Sequence, residues 1–335
     1  MFETRRLLDT EDPQDRAIVN DASTLVPPHR VIAAWGDSEA VSHHGLNRAR
    51  GAIRFFGQGN DLATFRTEMA RSAESNFEVR SINHEIAPMD TEYAYTCLGR
   101  DELIDVAGLP DTEEQLYIVG FEPMLFQETE AYVHHFIVYG SPEGNCTAAE
   151  DSFGELVYVW APGEGPLAFP SNMGSPLFGA GYQSFTIEVH YNNPLMTPGI
   201  LDSSGVRLYY TTQPREEEVG ILSVGDPNVN LYGESVGAGL TLHEFDCPGS
   251  CSEAVGQPVT VLREYLHMHK EGFAMSNQQI RNGEVVREGR IDYWEFDQNG
   301  NAALLQDPFV VEPGDSFKTS CYFNAPTEDT VFGLS

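Results

Sequence analysis

The stretch AYVHHFIVYG, residues 131–140, combines aromatic and β-branched side chains and ends at a glycine. Such side chains favour a β-strand, because they pack well on a pleated, half-buried surface. Similar short runs recur along the chain between Gly, Pro and Asn residues. They are EQLYIVGF (114–121), LVYVW (156–160), SFTIEVHYN (184–192), GVRLYYTT (205–212), VTVLREYLHMH (259–269), FAMSNQQIR (273–281) and SFKTSCYF (316–323). This pattern predicts an all-β protein built from antiparallel β-sandwich or jelly-roll domains.

One helix is predicted, in the stretch NDLATFRTEMARSA at residues 60–73. The helical spacing there places Leu62, Phe65 and Met69 on one face. Because no other stretch has this periodicity so clearly, helices are expected to be rare in the chain.

The composition is that of a folded, acidic protein. The 335 residues are 41% hydrophobic, enough to fill the cores of two ordinary domains. Asp and Glu outnumber Lys and Arg 51 to 19, and the resulting charge of −32 would repel nucleic acid and anionic membranes. The start, MFETRRLLDTEDPQ, lacks the apolar core of a signal peptide. We therefore expect a cytosolic protein or a chain whose true start lies upstream.

Five cysteines are present, and Cys247 and Cys251 lie close together in CPGSC. A structural zinc site needs four ligands, and no second close pair is available, so disulfides are the favoured interpretation. An odd number of cysteines suggests that a partner is missing. The sequon at Asn145 is compatible with a secreted chain.

Five of the ten histidines form three groups in predicted strands: His134 with His135, His190, and His267 with His269. His267 and His269 point to the same side of a strand and can bind one ion. Adjacent histidines point to opposite faces, so His134 and His135 can share a metal only through a twist, a bulge or different ring nitrogens. A lone strand histidine is ordinarily structural, but three groups favour a copper or zinc protein.

An ordered series of segments supports a more specific hypothesis. The segments are TEYAYTC, EAYVHHFIVYG, IEVHYNNP, DSSGVRLYYT, EVGIL, FDCPGSC, LHMH and VEPGDSFKTSCYFN. In this order and spacing, residues from about 76 to 335 resemble the copper type II, ascorbate-dependent monooxygenases, and above all the branch that includes dopamine β-hydroxylase. The resemblance implies two facing β-sandwich domains with one copper ion each. It also implies ascorbate as reductant, O2 as cosubstrate and hydroxylation of an activated C–H bond.

The resemblance assigns a role to each histidine group. By motif, His134, His135 and His190 are expected to bind the electron-transfer copper of the first domain. His267 and His269 are expected to be two of the three ligands of the oxygen-activating copper in the second domain.

The third ligand of that copper is, in the family, a methionine in an EMC segment that follows a GGF or GLS stretch. Here the chain reads TEDTVFGLS and stops at Ser335. Met268 and Met275 do not occupy the motif position, and Met268 should point away from the face bearing the two histidines. We therefore expect this ligand to be missing and the sequence to be a fragment.

The cysteines fit the same interpretation. By motif, Cys97 is expected to pair with Cys146, and Cys321 resembles the partner of the cysteine in the absent EMC segment. Cys247 and Cys251 resemble residues that pair with cysteines further downstream.

The N-terminal region, with RRLLDTEDPQDRAIVND, VIAAWGD and HHGLNRARG, resembles the closing strands of a DOMON domain, which implies truncation at this end too. His43 and His44 are interpreted as surface or turn residues and receive no function. The expected domains are a DOMON-like part at 1–58, a linker, helical in part, at 59–75, an N-terminal copper domain at 76–198 and a C-terminal one at 199–335.

Two positions bear on the substrate. Glu188 stands where the peptide-hydroxylating branch has glutamine, and Tyr265 stands where that branch has an arginine for the peptide carboxylate. Both differences argue against peptidylglycine and favour a small amine. Glu188 and Tyr95 are expected to lie beside the copper ligands, although Glu188 could equally be a half-exposed strand carboxylate.

Two other classes of protein stay open. One is a copper-binding protein of the secretory pathway without catalytic activity, and the other is a β-sandwich interaction module with a zinc site. The disulfide interpretation and the resemblance together predict a secreted or lumenal protein. Membrane association of the full-length protein and an oligomeric state both stay open.

Overall fold

The computed structural model describes residue 18 and the ranges 29–34, 48–53, 62–146, 154–161, 165–226, 235–268, 271–292, 294 and 308–326. The chain divides into two compact units, and the division in its C-terminal part lies between Leu222 and Ser223. We call the unit that contains residues 62–222 the first unit and the one that contains the described residues from 223 onwards the second unit.

The helices of the first unit are α1 (Leu62–Ser72) and α2 (Arg100–Asp105), with a 3-10 turn at Glu130–Tyr132. Its strands are β3 (Ser75–Arg80), β4 (His84–Ile86), β5 (Thr91–Leu98), β6 (Leu116–Met124), β7 (Val133–Ser141), β8 (Glu155–Trp160), β9 (Leu167–Ala168), β10 (Met173–Leu177), β11 (Ser184–Asn192), β12 (Ile200–Asp202), β13 (Gly205–Thr211) and β14 (Glu217–Glu218). They follow β1 (His29–Ala34) and β2 (Arg48–Ile53), which form a two-stranded sheet.

Two larger sheets form the two layers of the first unit, and β4 pairs with β12 in a separate two-stranded sheet. One layer has the order β14-β10-β6-β13-β3, with β9 beside β6, and the other has the order β5-β11-β7-β8. Alternate side chains of both sheets, such as Ile118, Val206, Phe136 and Ile187, are buried in one hydrophobic core. The first unit is therefore a β-sandwich, and the all-β prediction is confirmed.

Helix α1 packs on the outer surface of β6 and β13. Phe65 and Met69 are buried against Val119, and the ring of Phe65 meets that of Tyr209 edge-on at 5.5 Å. The predicted helix is confirmed. Leu62, the first residue of the helix, is 42% exposed, so Phe65 and Met69 form the buried part of the predicted face.

The first unit extends further along the chain than the predicted boundary at 198/199. Strand β13 pairs with both β3 and β6, so residues 205–211 lie inside the six-stranded sheet. The sequence break near residue 200 is thus a loop within one domain.

The second unit contains β15 (Gly239–Cys247), β16 (Val259–Val261), β17 (Gly272–Arg281), β18 (Glu284–Ile291), β19 (Phe309–Val311) and β20 (Ser316–Ala325), with helix α3 at Gly249–Val255. Its main sheet is antiparallel with the order β15-β20-β17-β18, and β16 pairs with β19. Met268, Met275, Trp294, Cys321 and Phe323 form the centre of its hydrophobic core.

Most of the DOMON-like region predicted at residues 1–58, including His43 and His44, lies outside the described residues. In the described part of the chain, no helix has both the length and the apolar character needed to cross a bilayer.

Candidate metal centre

The first two histidine groups meet on neighbouring strands of the four-stranded sheet. His135 on β7 lies directly opposite His190 on β11, but the next pair is Val133 with Tyr191. His134 is therefore an extra residue in β7, which is the definition of a β-bulge. The bulge removes the strict alternation of side chains, so adjacent His134 and His135 can approach His190 together. Of the local distortions that the sequence left open, the bulge is the one observed.

The three imidazoles are close together and shielded from solvent. The Nδ1 atoms of His134 and His135 are 3.0 Å apart, and one ring nitrogen from each of the three residues lies within 4.8 Å of the others. All three histidines are at most 8% exposed. Two imidazole nitrogens bound tetrahedrally to one ion are about 3.3 Å apart, given metal–nitrogen distances of about 2.0 Å. The cluster thus fits a single copper or zinc ion, and it is the only such group of three found among the described residues.

Tyr93 supports one of these rings. It lies opposite His190 on β5, and the two rings stack with centroids 4.5 Å apart and planes at 20°. The Tyr93 hydroxyl is 3.5 Å from Nδ1 of His190. Burial and the nearby charge of Glu188 raise the pKa of Tyr93 to about 12, so the phenol stays neutral near pH 7. The sequence analysis does not include Tyr93. Its spacing from Tyr95 could have indicated it, because residues two positions apart in a strand point to the same side.

Glu188 lies two residues before His190 on the same face of β11, with Tyr95 opposite it on β5 and Ile137 opposite it on β7. It is 6% exposed, so the half-exposed carboxylate considered from the sequence is not what is observed. Burial raises the pKa of Glu188, and a hydrogen bond with Tyr95 partly opposes that rise. The structure thus brings Tyr95 and Glu188 to the sheet face on which the three histidines meet.

The predicted disulfide between Cys97 and Cys146 is confirmed. It joins the end of β5 to the segment that follows β7. The bond therefore links β5, an edge strand of the sheet that carries the histidine cluster, to the segment that leaves β7.

The remaining histidine group lies in the second unit, and its predicted strand is wrong. Only Val259–Val261 forms a strand, β16, and residues 262–268 have no regular secondary structure. The reason is that β16 pairs with β19 over only three residues. His269 lies outside the described residues.

His267 is held between two aromatic rings. It stacks on Tyr265 with centroids 5.9 Å apart and meets Trp294 at right angles with centroids 5.7 Å apart. Met268 is 1% exposed and packs in the hydrophobic core of the second unit. This placement agrees with the expectation that Met268 points away from His267.

Comparison with known proteins identifies a family that matches the part of the chain with the histidine cluster. Residues 77–198 match the family model of the copper type II ascorbate-dependent monooxygenase, N-terminal domain. DBH-like monooxygenase protein 2 of Mus musculus is 27% identical over 345 residues, which cover 96% of this chain and 51% of that protein. Tyramine beta-hydroxylase of Caenorhabditis briggsae is 26% identical over 72% of this chain and 43% of its own length. Dopamine beta-hydroxylase of Equus caballus is 30% identical over 67% of this chain and 39% of its own length.

The first unit is therefore a β-sandwich in which two adjacent strands bring together three imidazoles that could hold one metal ion. The matching residues, 77–198, include all three histidines and both cysteines of the disulfide. Residues 77–198 thus belong to the copper type II, ascorbate-dependent monooxygenase family, and the chain as a whole is similar to DBH-like proteins. It spans about half the length of the curated relatives that it matches.

Proposed function

We propose that the protein is a copper monooxygenase that hydroxylates an activated C–H bond of a small amine. The reaction inserts one atom of O2 into the C–H bond and reduces the other to water, with two electrons drawn from ascorbate. The observation that carries this proposal is the cluster of three buried imidazoles in the domain that matches the copper family.

In this proposal, His134, His135 and His190 hold the electron-transfer copper, which supplies one-electron chemistry when it is bound. Neutral imidazoles suit copper, and their burial limits the access of water to the ion. Tyr93 keeps the ring of His190 in position by stacking on it.

His267 and His269 are proposed as ligands of a second copper, at the place where O2 and substrate meet. The packing of His267 against Tyr265 and Trp294 supports an ordered ring at this position. Met268 and Met275 pack in the core of the second unit, which argues against either of them as a third ligand.

An amine substrate is supported by two features. The formal charge of −32 favours a cationic substrate over an anionic one. Two of the relatives are a tyramine and a dopamine β-hydroxylase. We therefore take an aromatic amine as the first substrate to test.

The disulfide between Cys97 and Cys146 supports a location in an oxidising compartment. We accordingly propose that the protein is secreted or resides in the lumen of the secretory pathway. We also propose, from the sequence resemblance, that residues 1–58 are part of a DOMON-like domain.

The test of the proposal is copper stoichiometry combined with turnover. We expect two coppers per chain, loss of one in His190→Ala, and loss of only the other in His267→Ala. His243→Ala is the matched control, because His243 pairs with Asp226 at 2.7 Å and belongs to neither cluster. Wild-type stoichiometry in both test variants would contradict the ligand assignment.

The same samples separate the competing classes of protein. Ascorbate-dependent O2 uptake coupled to hydroxylated tyramine would establish the monooxygenase. Copper binding without product would indicate a non-catalytic copper protein, and retention of zinc without redox activity would indicate an interaction module.

A further inference from the structure

A buried carboxylate lies behind the histidine cluster, on the core side of the sheet. Asp202, the last residue of β12, is 1% exposed. Its Oδ1 accepts hydrogen bonds from Thr129 Oγ1 at 2.5 Å and from Ser204 Oγ at 2.8 Å. Its Oδ2 accepts from the Tyr191 hydroxyl at 2.8 Å and from the Ser204 backbone N–H at 2.9 Å. Four donors therefore satisfy this carboxylate.

Two of these donors come from the chain segments that carry the metal ligands. Tyr191 directly follows His190 on β11 and pairs with Val133 at the bulge. Thr129 lies in the turn that leads into β7, where its carbonyl oxygen accepts from the Tyr132 N–H at 2.8 Å. The carboxylate thus ties β11, where Tyr191 pairs with Val133, to the turn that precedes β7, on the N-terminal side of the extra residue.

We propose that Asp202 is a positioning residue for the three-histidine centre: by holding Tyr191 and Thr129, it fixes the bulge that turns His134 toward His135 and His190. The inference rests on the proposed function in one respect, namely that the ion bound there is copper. Asp202 itself does not coordinate the metal.

Hydrogen-bond chemistry explains why this arrangement would be rigid. Tyr191 is 0% exposed, and its ring also stacks on His84 with centroids 5.3 Å apart. Without the carboxylate, the hydroxyls of Tyr191 and Thr129 would each lose a close acceptor in a dry environment, which is unfavourable. The two strands could then shift toward a regular ladder, in which adjacent His134 and His135 point to opposite faces.

The experiment uses the full chain in a His267→Ala background, so that only the first copper site is loaded. Asp202→Ala, Asp202→Asn and Tyr191→Phe are compared by Cu(II) affinity, measured against a competing chelator, and by the electron paramagnetic resonance spectrum of bound Cu(II). We expect Asp202→Ala to weaken copper binding about 10- to 100-fold and to change the spectrum, as loss of supporting interactions around metal ligands commonly does. Asp202→Asn should recover most of the affinity, because its carbonyl oxygen can still accept from Tyr191 and from the Ser204 N–H.

The matched control is Glu122→Ala. Glu122 is also buried and also accepts a tyrosine hydrogen bond, from Tyr209 at 2.5 Å, but it lies on β6 in the other sheet. We expect this variant to lose thermal stability and keep wild-type copper affinity.

Wild-type affinity and spectrum in Asp202→Ala would overturn the inference while leaving the proposed function intact. If Asp202→Ala does not fold, Tyr191→Phe decides, because it removes one hydroxyl and keeps the ring; an unchanged copper spectrum there would equally overturn the inference. Absence of copper from the His267→Ala parent would instead contradict the proposed function.

Discussion

Tyr93 shows how a single side chain can hold an imidazole of the proposed copper site in place without being one of its proposed ligands. Its ring covers one face of His190, with the two centroids 4.5 Å apart, while its hydroxyl lies 3.5 Å from Nδ1 of that histidine. The stacking restricts rotation of the imidazole, and the hydroxyl contact is too long to contribute much. The ring rather than the oxygen should therefore matter for copper binding.

We predict that Tyr93→Ala weakens copper binding at the first site about tenfold, because His190 loses the ring that orients it. Tyr93→Phe keeps the ring and should bind copper within about threefold of wild type. Competition with a chelator measures both affinities in the His267→Ala background. Equal losses in the two variants would show that the hydroxyl, not the stacking, is responsible.

At the residue scale, the sequence indicates which residue types could bind a metal, but it does not show which residues lie next to them in the fold. The motifs identified His134, His135 and His190, and the structure brings these three together. The sequence does not single out Tyr93, because TEYAYTC contains two tyrosines and the pairing of β5 with β11 decides which of them lies opposite His190. Cross-strand pairing of this kind is a property of the fold.

At the scale of elements, Asp315 joins several parts of the second unit. It accepts hydrogen bonds from Arg281 at 2.8 Å, from Gln279 at 2.6 Å and from the Glu312 N–H at 2.8 Å. Its own carbonyl oxygen accepts from Ser252 of α3 at 2.7 Å. One residue thus connects β17, the turn before β20 and helix α3.

These contacts predict a pH-dependent stability. Arg281 is the main cause that lowers the pKa of Asp315 from 3.8 to about 2. Because the folded-state pKa is below the unfolded value, the stabilisation is complete above about pH 4 and is lost as the pH falls through about 2. We expect Asp315→Asn to reduce the free energy of unfolding by about 2 kcal/mol at pH 7, and by progressively less toward pH 2.

Urea unfolding at several pH values measures this difference. Asp292→Asn is the control, because the pair of Asp292 with Arg290 is mostly exposed and should contribute little. A pH-independent difference between wild type and Asp315→Asn would contradict the assignment of the stabilisation to the charged carboxylate.

A helix can be predicted from the sequence where the segment is long enough to show the spacing of its buried side chains, and not where the segment is short. Helix α1 has enough turns to show its buried face, whereas α2 and α3 have only six and seven residues. The segment around His267 has the composition of a strand but no regular structure over 262–268. A strand requires a partner along its length, and composition alone does not reveal whether one is available.

At the scale of the whole molecule, the two compact units have separate hydrophobic cores. We predict that copper bound at the three-histidine centre slows amide hydrogen exchange in β7 and β11 and leaves β17 and β20 unchanged. Bound metal stabilises the strands that supply its ligands, and it opposes their local opening.

Hydrogen exchange followed by mass spectrometry, with and without copper, tests this in the His267→Ala chain. His190→Ala in the same background is the control and should show no protection in β7. Equal protection of β17 and β20 in the parent chain would contradict separate responses of the two units.

The extent of each unit was harder to predict than its class. Short β-rich runs indicate an all-β chain, but the sequence predicts a domain boundary before β13, at 198/199. The sequence contains a turn-rich stretch there, and only the pairing of β13 with β3 and β6 assigns residues 205–211 to the first unit. The end of the first unit is thus determined by long-range strand pairing, which local composition does not reveal.

The bulge at His134 also has a genetic consequence. Val133 and Phe136 are three positions apart and both face the core. The alternation of core-facing and outward-facing side chains along β7 is therefore interrupted once. Loss of a single codon at His134 would restore regular alternation, keep Val133 and Phe136 on the core side, and leave His135 opposite His190. The sandwich would stay intact, but the centre would have two imidazoles instead of three. Insertion of one residue into β7 is therefore enough to convert a two-imidazole centre into a three-imidazole centre.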